Sequence, residues 1–252
     1  MASKIASKPL RVAVNGFGRI GRNVLRAWME NGCYPDFQIV AINDIADGQT
    51  LAHLLRFDST HGRFAGQVHY DGEAFELDSL GVRQRILVLQ QPDPAQLPWQ
   101  SLQIDVVLEC TGHFRSRLDA SKHLSAGAGR VIIGAAPFDT VDAAIVFGVN
   151  QTSLTAQDRV ISSVSCTTQA LVPLVKILDD QFGIESALMT EIHAVTADQS
   201  VLDQAHRDPR RARASGYNII PTTSSALAAL KRVMPHMEGR IEGYSIRVPT
   251  IN

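Results

Sequence analysis

Residues 11–21 read RVAVNGFGRIG. The β-branched run RVAVN ends at Gly16, and Gly16, Gly18 and Gly21 then fall at the spacing GxGxxG. Apolar residues recur at helical spacing immediately afterwards, at Ile20, Val24, Leu25 and Trp28, which predicts a helix over 20–31. In a strand–turn–helix unit of this kind the first glycine permits the tight turn and the second lets the backbone approach a pyrophosphate. The third lets helix and strand pack closely, while free N–H groups at the helix start attract phosphates. Downstream, QIVAI at 38–42 is a second strand and Asp44 lies just past its end. A carboxylate there accepts hydrogen bonds from ribose hydroxyls and repels a 2′-phosphate, so NAD is favoured over NADP.

The alternation continues. A helix over 50–56, a β-rich excursion over 66–88, a strand at 105–109, a helix over 117–126 and a strand at 130–133 follow, with 144–147 and 160–162 expected as the last strands. Strands alternating with helices imply an α/β Rossmann fold with a doubly wound parallel sheet. Beyond it, a strong amphipathic helix over 168–182 leads to a strand at 184–194 with no helix after it. A polar, Arg-rich loop over 196–217, a helix over 222–234 and a strand at 243–250 mark a second, α+β domain with a mixed or antiparallel sheet. The expected organisation is a flexible tail over 1–9, a dinucleotide-binding domain over 10–164 and a catalytic domain over 165–252.

Composition narrows the function. The 252 residues are 45% hydrophobic with a formal net charge of -1, and charges of both signs are mixed along the chain, so nucleic acid and membrane are not expected partners. The one basic excess, Arg207, Arg210, Arg211 and Arg213, suits a small phosphate or a solvated surface. Cys33, Cys110 and Cys166 are odd in number and widely spaced, which disfavours disulfides and a structural metal. A polar N-terminus and the absence of a long apolar run give a soluble, cytoplasmic expectation.

Ser165-Cys166-Thr167-Thr168 precedes the long helix, so Cys166 is expected at a helix N-terminus, which favours a thiolate. His193 ends the following strand and can return to it as a base. A Cys/His pair with a dinucleotide suits aldehyde oxidation: the thiolate adds to the aldehyde, His193 takes the hydroxyl proton and hydride transfer leaves a thioester for phosphate or water to release. Hydroxyls at Ser165 and Thr167 and the free N–H groups of the helix start are positioned for an attacking phosphate or an oxyanion.

With those residues in hand, the chain resembles the glyceraldehyde-3-phosphate dehydrogenase family, which includes erythrose-4-phosphate dehydrogenase. The resemblance runs from VNGFGRIGRNVLRA through AINDIAD, LLRFDSTHGRF, ECTG, SCTT, HAVTADQ, RRARA and NIIPT to RVPT. It implies a two-domain subunit, a homotetramer in the full-length form, acting on a sugar-phosphate aldehyde with inorganic phosphate. Cys166 and His193 would be catalytic, Thr196 and Arg247 would hold the substrate phosphate, and Ser165, Thr167, Ser224 and Arg211 would surround a second anion site. Arg19, Ile20, Asp44, Thr111 and Gly112 would line the cofactor cleft.

Departures from the family pattern sit near these sites. Ser163, Val164, Gln169 and Ala170 replace Asn, Ala, Asn and Cys, and Thr223-Ser224-Ser225 replaces Ser-Thr-Gly. Gly134 and the pair Gln204-Ala205 depart near the cofactor positions and leave room for NADP. Because relatives extend well past Asn252, the second domain is expected to be incomplete, the chain being a fragment or a degenerate member. THGRF, LDDQFGIES and RVPTIN lean towards erythrose 4-phosphate, whereas HAVTADQ, around Thr196, leans towards glyceraldehyde 3-phosphate, which is the favoured expectation. The competing reading is a non-catalytic dinucleotide-binding remnant, in which Cys166 need not be reactive.

Overall fold

The computed structural model describes residues 8–32 and 34–252, so Cys33 and most of the expected tail lie outside the described residues. Two compact units form. One runs to Ala143 and takes in Leu154–Ser163; the other comprises Ala144–Ser153 and Val164–Asn252.

In the first unit, β1 (Leu10–Asn15) turns into α1 (Arg19–Glu30), and β2 (Phe37–Asn43) into α2 (Gly48–Arg56). The small hairpin β3 (Phe57–Asp58) and β4 (Gly62–Arg63) precedes an antiparallel meander of β5 (Gln67–Tyr70), β6 (Ala74–Ser79) and β7 (Val82–Leu89). Then come β8 (Val106–Glu109), α3 (Arg117–Ser125), β9 (Arg130–Ile133), β10 (Ala143–Ala144) and β11 (Val160–Ser162). The sheet order is β10-β11-β9-β8-β1-β2-β7-β6-β5. β1 pairs in parallel with β2 on one side and β8 on the other, so the strand order reverses at β1 and opens a crevice beyond its C-terminal end. Both faces of the sheet are covered. Val12, Val14 and Phe17 bury against Leu25, Trp28 and Met29 of α1, while Ala13, Ala41 and Val107 bury with Leu97 and Trp99 on the other side.

The strand expected at 144–147 is only Ala143–Ala144. Asn150 explains the break: its Oδ1 accepts the Val146 N–H and its Nδ2 donates to the Ala144 carbonyl, which closes the segment on itself. Val146 is consequently buried in the core of the second unit with Val164, Val172 and Val175.

The second unit contains α4 (Cys166–Phe182), β12 (Ala187–Ala194), β13 (Ile220–Thr222), α5 (Ala226–Val233) and β14 (Ile241–Val248). β14 is central, parallel to β12 and antiparallel to β13, which makes a mixed sheet. Thr222, expected at a helix start, instead pairs with Ser245 across the sheet. A β-branched threonine suits an edge ladder, and helix α5 begins only after the Ser224 hydroxyl has accepted the Ala226 N–H at 3.3 Å. The Arg-rich loop is held by its own bonds, among them Ser215 N–H to Ser200 at 2.9 Å, and includes a short 3-10 turn at Pro209–Ala212. Among the described residues, no helix is long and apolar enough to cross a membrane.

Candidate active site

At the end of β1 the glycine turn behaves as its three positions demand. Gly16 has φ +91°, and a Cβ there would meet the Thr111 backbone nitrogen at 2.5 Å; a Cβ on Gly21 would meet the Gly16 carbonyl oxygen at 2.2 Å. Gly18 differs, because a Cβ there would meet nothing within 4 Å among the described residues. It is also the N-cap of α1 and supplies no capping side chain, so the helix presents its first N–H groups into open space. Gly16 and Gly18 line a cavity of about 290 Å³ with Asn15, Asp44 and Thr111. Asp44 accepts the Phe17 N–H at 2.7 Å and the Ala46 N–H at 3.0 Å, one on each oxygen, which fixes the carboxylate and leaves lone pairs for a diol. The open Gly18 cradle and the uncapped helix start fit a dinucleotide pyrophosphate. Ile20 is half exposed beside them, and Arg19 reaches Asp58 at 3.3 Å.

A buried chain that sequence patterns do not show anchors Thr111. Its N–H donates to Glu109 Oε1 at 2.7 Å, and its hydroxyl donates to the same oxygen. Glu109 Oε2 receives the Asn15 amide at 2.6 Å and lies 3.1 Å from His123 Nε2. Since the Trp99 indole N–H can only donate, and reaches His123 Nδ1 at 2.9 Å, the imidazole hydrogen sits on Nε2 and points at Glu109. Gly112, next in the chain, takes φ +74° at the mouth of this turn.

In the second unit, Ser165 caps α4 by accepting the Thr168 N–H at 3.1 Å, so Cys166 is the first residue of a 17-residue helix. The entry to that helix is strained. Val164, buried and β-branched, holds φ +54°. On the neighbouring strand, His193 Nδ1 lies 2.6 Å from the Ala194 carbonyl, which can only accept, so Nε2 is left to face Cys166 Sγ at 3.2 Å. Arg247 pairs with His193 across the β12–β14 ladder and donates to the Ala194 carbonyl at 3.3 Å. Burial lowers the Arg247 pKa, an effect opposed by the charges of Glu191 and Cys166.

The other expected site residues are placed less directly. Thr196 donates its hydroxyl to Gln199 at 2.9 Å. Arg211 is paired with Asp198 and Asp208 and donates to the Thr223 hydroxyl at 3.1 Å. Elsewhere in the basic run, Arg210 is paired with Asp208 and Arg213 with Asp203. Among the described residues, no cluster of three His, Cys, Asp or Glu side chains is placed to hold a metal ion.

Glu191 was missed in the sequence reading. It is buried on β12, two residues before His193 and on the same face of the strand, and it accepts the Thr167 hydroxyl. A charged residue at the inward phase of a strand, at i−2 from a candidate base, was the available signal. Burial pushes its carboxyl pKa up, but the hydroxyls of Thr167, Ser224 and Ser245 and the charge of Arg247 outweigh that and hold it below the ordinary value.

Both parts of the chain match known families. The family described as "Glyceraldehyde 3-phosphate dehydrogenase, NAD binding domain" matches residues 10–117, and "Glyceraldehyde 3-phosphate dehydrogenase, C-terminal domain" matches residues 165–252. The plasmid-borne glyceraldehyde-3-phosphate dehydrogenase of Cupriavidus necator is 51% identical over 243 residues, covering 96% of this chain and 71% of that protein. The Xanthobacter flavus enzyme of the same name is 49% identical over the same shares of each chain.

Proposed function

This chain belongs to the glyceraldehyde-3-phosphate dehydrogenase family and is an NAD-dependent dehydrogenase, and we propose that it oxidises glyceraldehyde 3-phosphate through covalent catalysis at Cys166. The observation that carries the proposal is the 3.2 Å approach of Cys166 Sγ to His193 Nε2 at the start of a capped helix. That geometry also favours the enzyme over a dinucleotide-binding remnant.

In the proposed sequence, Cys166 adds as thiolate to the aldehyde carbon. His193, held by the Ala194 carbonyl with Nε2 inward, takes the proton of the resulting hydroxyl. When bound, NAD supplies the hydride acceptor for this oxidation. Gly16, Gly18 and Gly21 would shape the turn for its pyrophosphate, Asp44 would take its ribose hydroxyls, and Arg19, Ile20, Thr111 and Gly112 would line its remaining contacts. Arg247 and Thr196 would hold the substrate phosphate. Ser165, Thr167, Ser224 and Arg211 would form the second anion site, where inorganic phosphate attacks the thioester. Arg211 would then exchange part of its Asp198 and Asp208 pairing for phosphate. A cytoplasmic homotetramer serving glycolysis, with a domain boundary near residue 164, completes the proposal.

The names of these relatives support glyceraldehyde 3-phosphate over erythrose 4-phosphate. Turnover on the two aldehydes, each with and without inorganic phosphate and with NAD or NADP, tests this reading. Phosphate-dependent NADH formation, fastest on glyceraldehyde 3-phosphate, is expected; equal or faster phosphate-independent oxidation of erythrose 4-phosphate would overturn it.

A further inference from the structure

Glu109 is a buried ionisable group that the reaction sequence above does not use. It ends β8, and the neighbouring strands β1 and β2 end in Asn15 and Asn43, paired beside it. All three residues are no more than 4% exposed. Four donors converge on the Glu109 side chain: the Thr111 N–H and hydroxyl on Oε1, and the Asn15 amide and the His123 Nε2–H on Oε2. None of them is charged, because His123 is neutral with Nδ1 accepting the Trp99 indole N–H. An ionised carboxylate can only accept, and so it fixes the direction of every bond beyond it. Asn15 turns its NH2 towards Glu109, which leaves Oδ1 for the Asn43 NH2 at 2.7 Å. Asn43 then presents Oδ1 to the Gln91 N–H at 2.8 Å and its NH2 to the Gln91 carbonyl at 2.9 Å. The relay runs from Thr111 to Gln91, and both of these residues line the cavity at the end of β1.

We propose that Glu109 is a positioning residue for the dinucleotide: its buried carboxylate orients this relay across three strand ends and thereby fixes two lining segments of the cavity, at Thr111 and at Gln91. The proposal rests on the reading that NAD occupies this cavity. Charge, and not shape, is what the position requires. A glutamine of the same size can offer its oxygen to one side only. With that oxygen towards Thr111, its NH2 faces Asn15; Asn15 and Asn43 then reverse in turn, and the Gln91 N–H loses its acceptor. With the oxygen towards Asn15, the NH2 faces Thr111, whose N–H loses its acceptor instead. One lining segment is released in each case. Moving the charge one strand over removes the conflict. In the double substitution Asn15→Asp with Glu109→Gln, the carboxylate at position 15 accepts from Asn43, from the glutamine amide and from His123, whose Nε2 lies 3.4 Å from Asn15 Nδ2. The glutamine oxygen then takes both Thr111 donors.

The test measures NAD affinity by calorimetry, and amide exchange at Thr111 and Gln91 by NMR, in the unsubstituted protein, in Glu109→Gln, in Asn15→Asp and in the double substitution. Each single change is expected to weaken NAD binding about tenfold or more, the effect of a buried hydrogen bond left unmade. Glu109→Gln is also expected to speed exchange at Thr111 or at Gln91 by about tenfold or more, while the amides of β1 and β2 stay protected. The double substitution is expected to bring affinity back to within about threefold and to protect both amides again. A double substitution that binds as weakly as the single ones would overturn the proposal, and so would Glu109→Gln binding NAD normally with both amides protected. The unsubstituted protein decides without any variant: a Glu109 carboxyl carbon resonating in its ionised form at neutral pH supports the relay, and one in the protonated form removes the fixed direction on which it depends. NAD leaving the Thr111 and Gln91 resonances unmoved, with that carboxylate ionised, would instead sink the placement of the cofactor, and this inference with it.

Discussion

Two thiols in one chain illustrate how far local environment governs a residue. Cys110 is partly buried behind the glycine turn, and burial, reinforced by Glu109, pushes its thiol up to about 12. Cys166 is exposed at a helix start with an imidazole nitrogen 3.2 Å away. A thiol pushed up this far is almost wholly protonated at pH 7. Alkylation at neutral pH is therefore expected to modify Cys166 at least a hundredfold faster than Cys110, read by peptide mass; equal rates would refute an activated thiolate. Cys110 also sets an alkaline limit. Its folded value lies above the ordinary thiol value, so its contribution to stability is intact below pH 9 and declines as pH rises towards 12. Cys110→Ala should flatten that decline in urea titrations. Asp58 sets the acid limit: burial would raise its carboxyl, but the His61 and Thr60 N–H groups and Arg19 hold it at about 2. Its contribution is present above pH 4 and lost as pH falls towards 2, so Asp58→Asn should remove that part of acid unfolding. Cys166 and His193 could be singled out from sequence as candidates because the cysteine opens a helix pattern and both side chains are chemically distinctive. Glu191 could not, because only the fold brings the Thr167 hydroxyl onto its buried carboxylate.

Elements were legible where spacing encodes them and opaque where a single side chain decides. The GxGxxG turn predicts a strand, a sharp turn and an uncapped helix, and all three are present. Its glycines nevertheless answer to different constraints. Gly16→Ala would force a Cβ into the Thr111 backbone at an unfavourable φ, so it should lower the melting temperature and weaken NAD binding together. Gly18→Ala meets no atom of the described residues within 4 Å. It should fold with unchanged or slightly raised stability while NAD affinity falls tenfold or more, measured by calorimetry. Asp47, which caps α2 through the Thr50 N–H at 2.9 Å, offers a control: Asp47→Ala should lower the melting temperature without changing turnover. The misread segments share a cause. At 144–147 the Asn150 side chain ends the strand, and at Thr222 an edge ladder outcompetes helix propensity. The positive φ of Val164 at the entry to α4 was likewise unreadable, since β-branched residues rarely adopt it.

Over the whole molecule, the alternation of strands and helices predicted an α/β chain with a second mixed-sheet region. What spacing could not show is that residues 144–153 join the second unit before the chain returns to finish the first. Binding should register in global stability, because a ligand held only by the folded state raises unfolding free energy by about 2.7 kcal/mol at a hundred times its Kd. NAD should therefore raise the melting temperature of the unsubstituted protein, and Gly18→Ala should lose most of that rise. The chain Thr111–Glu109–His123–Trp99 extends the same linkage into optics. The sequence contains only two tryptophans, and the other, Trp28, packs on the opposite face of the sheet with its indole nitrogen unpartnered among the described residues. A Trp28→Phe protein would carry a single tryptophan, wired by three hydrogen-bonded side chains to the floor of the nucleotide pocket. Its emission would report occupancy of that pocket without any label.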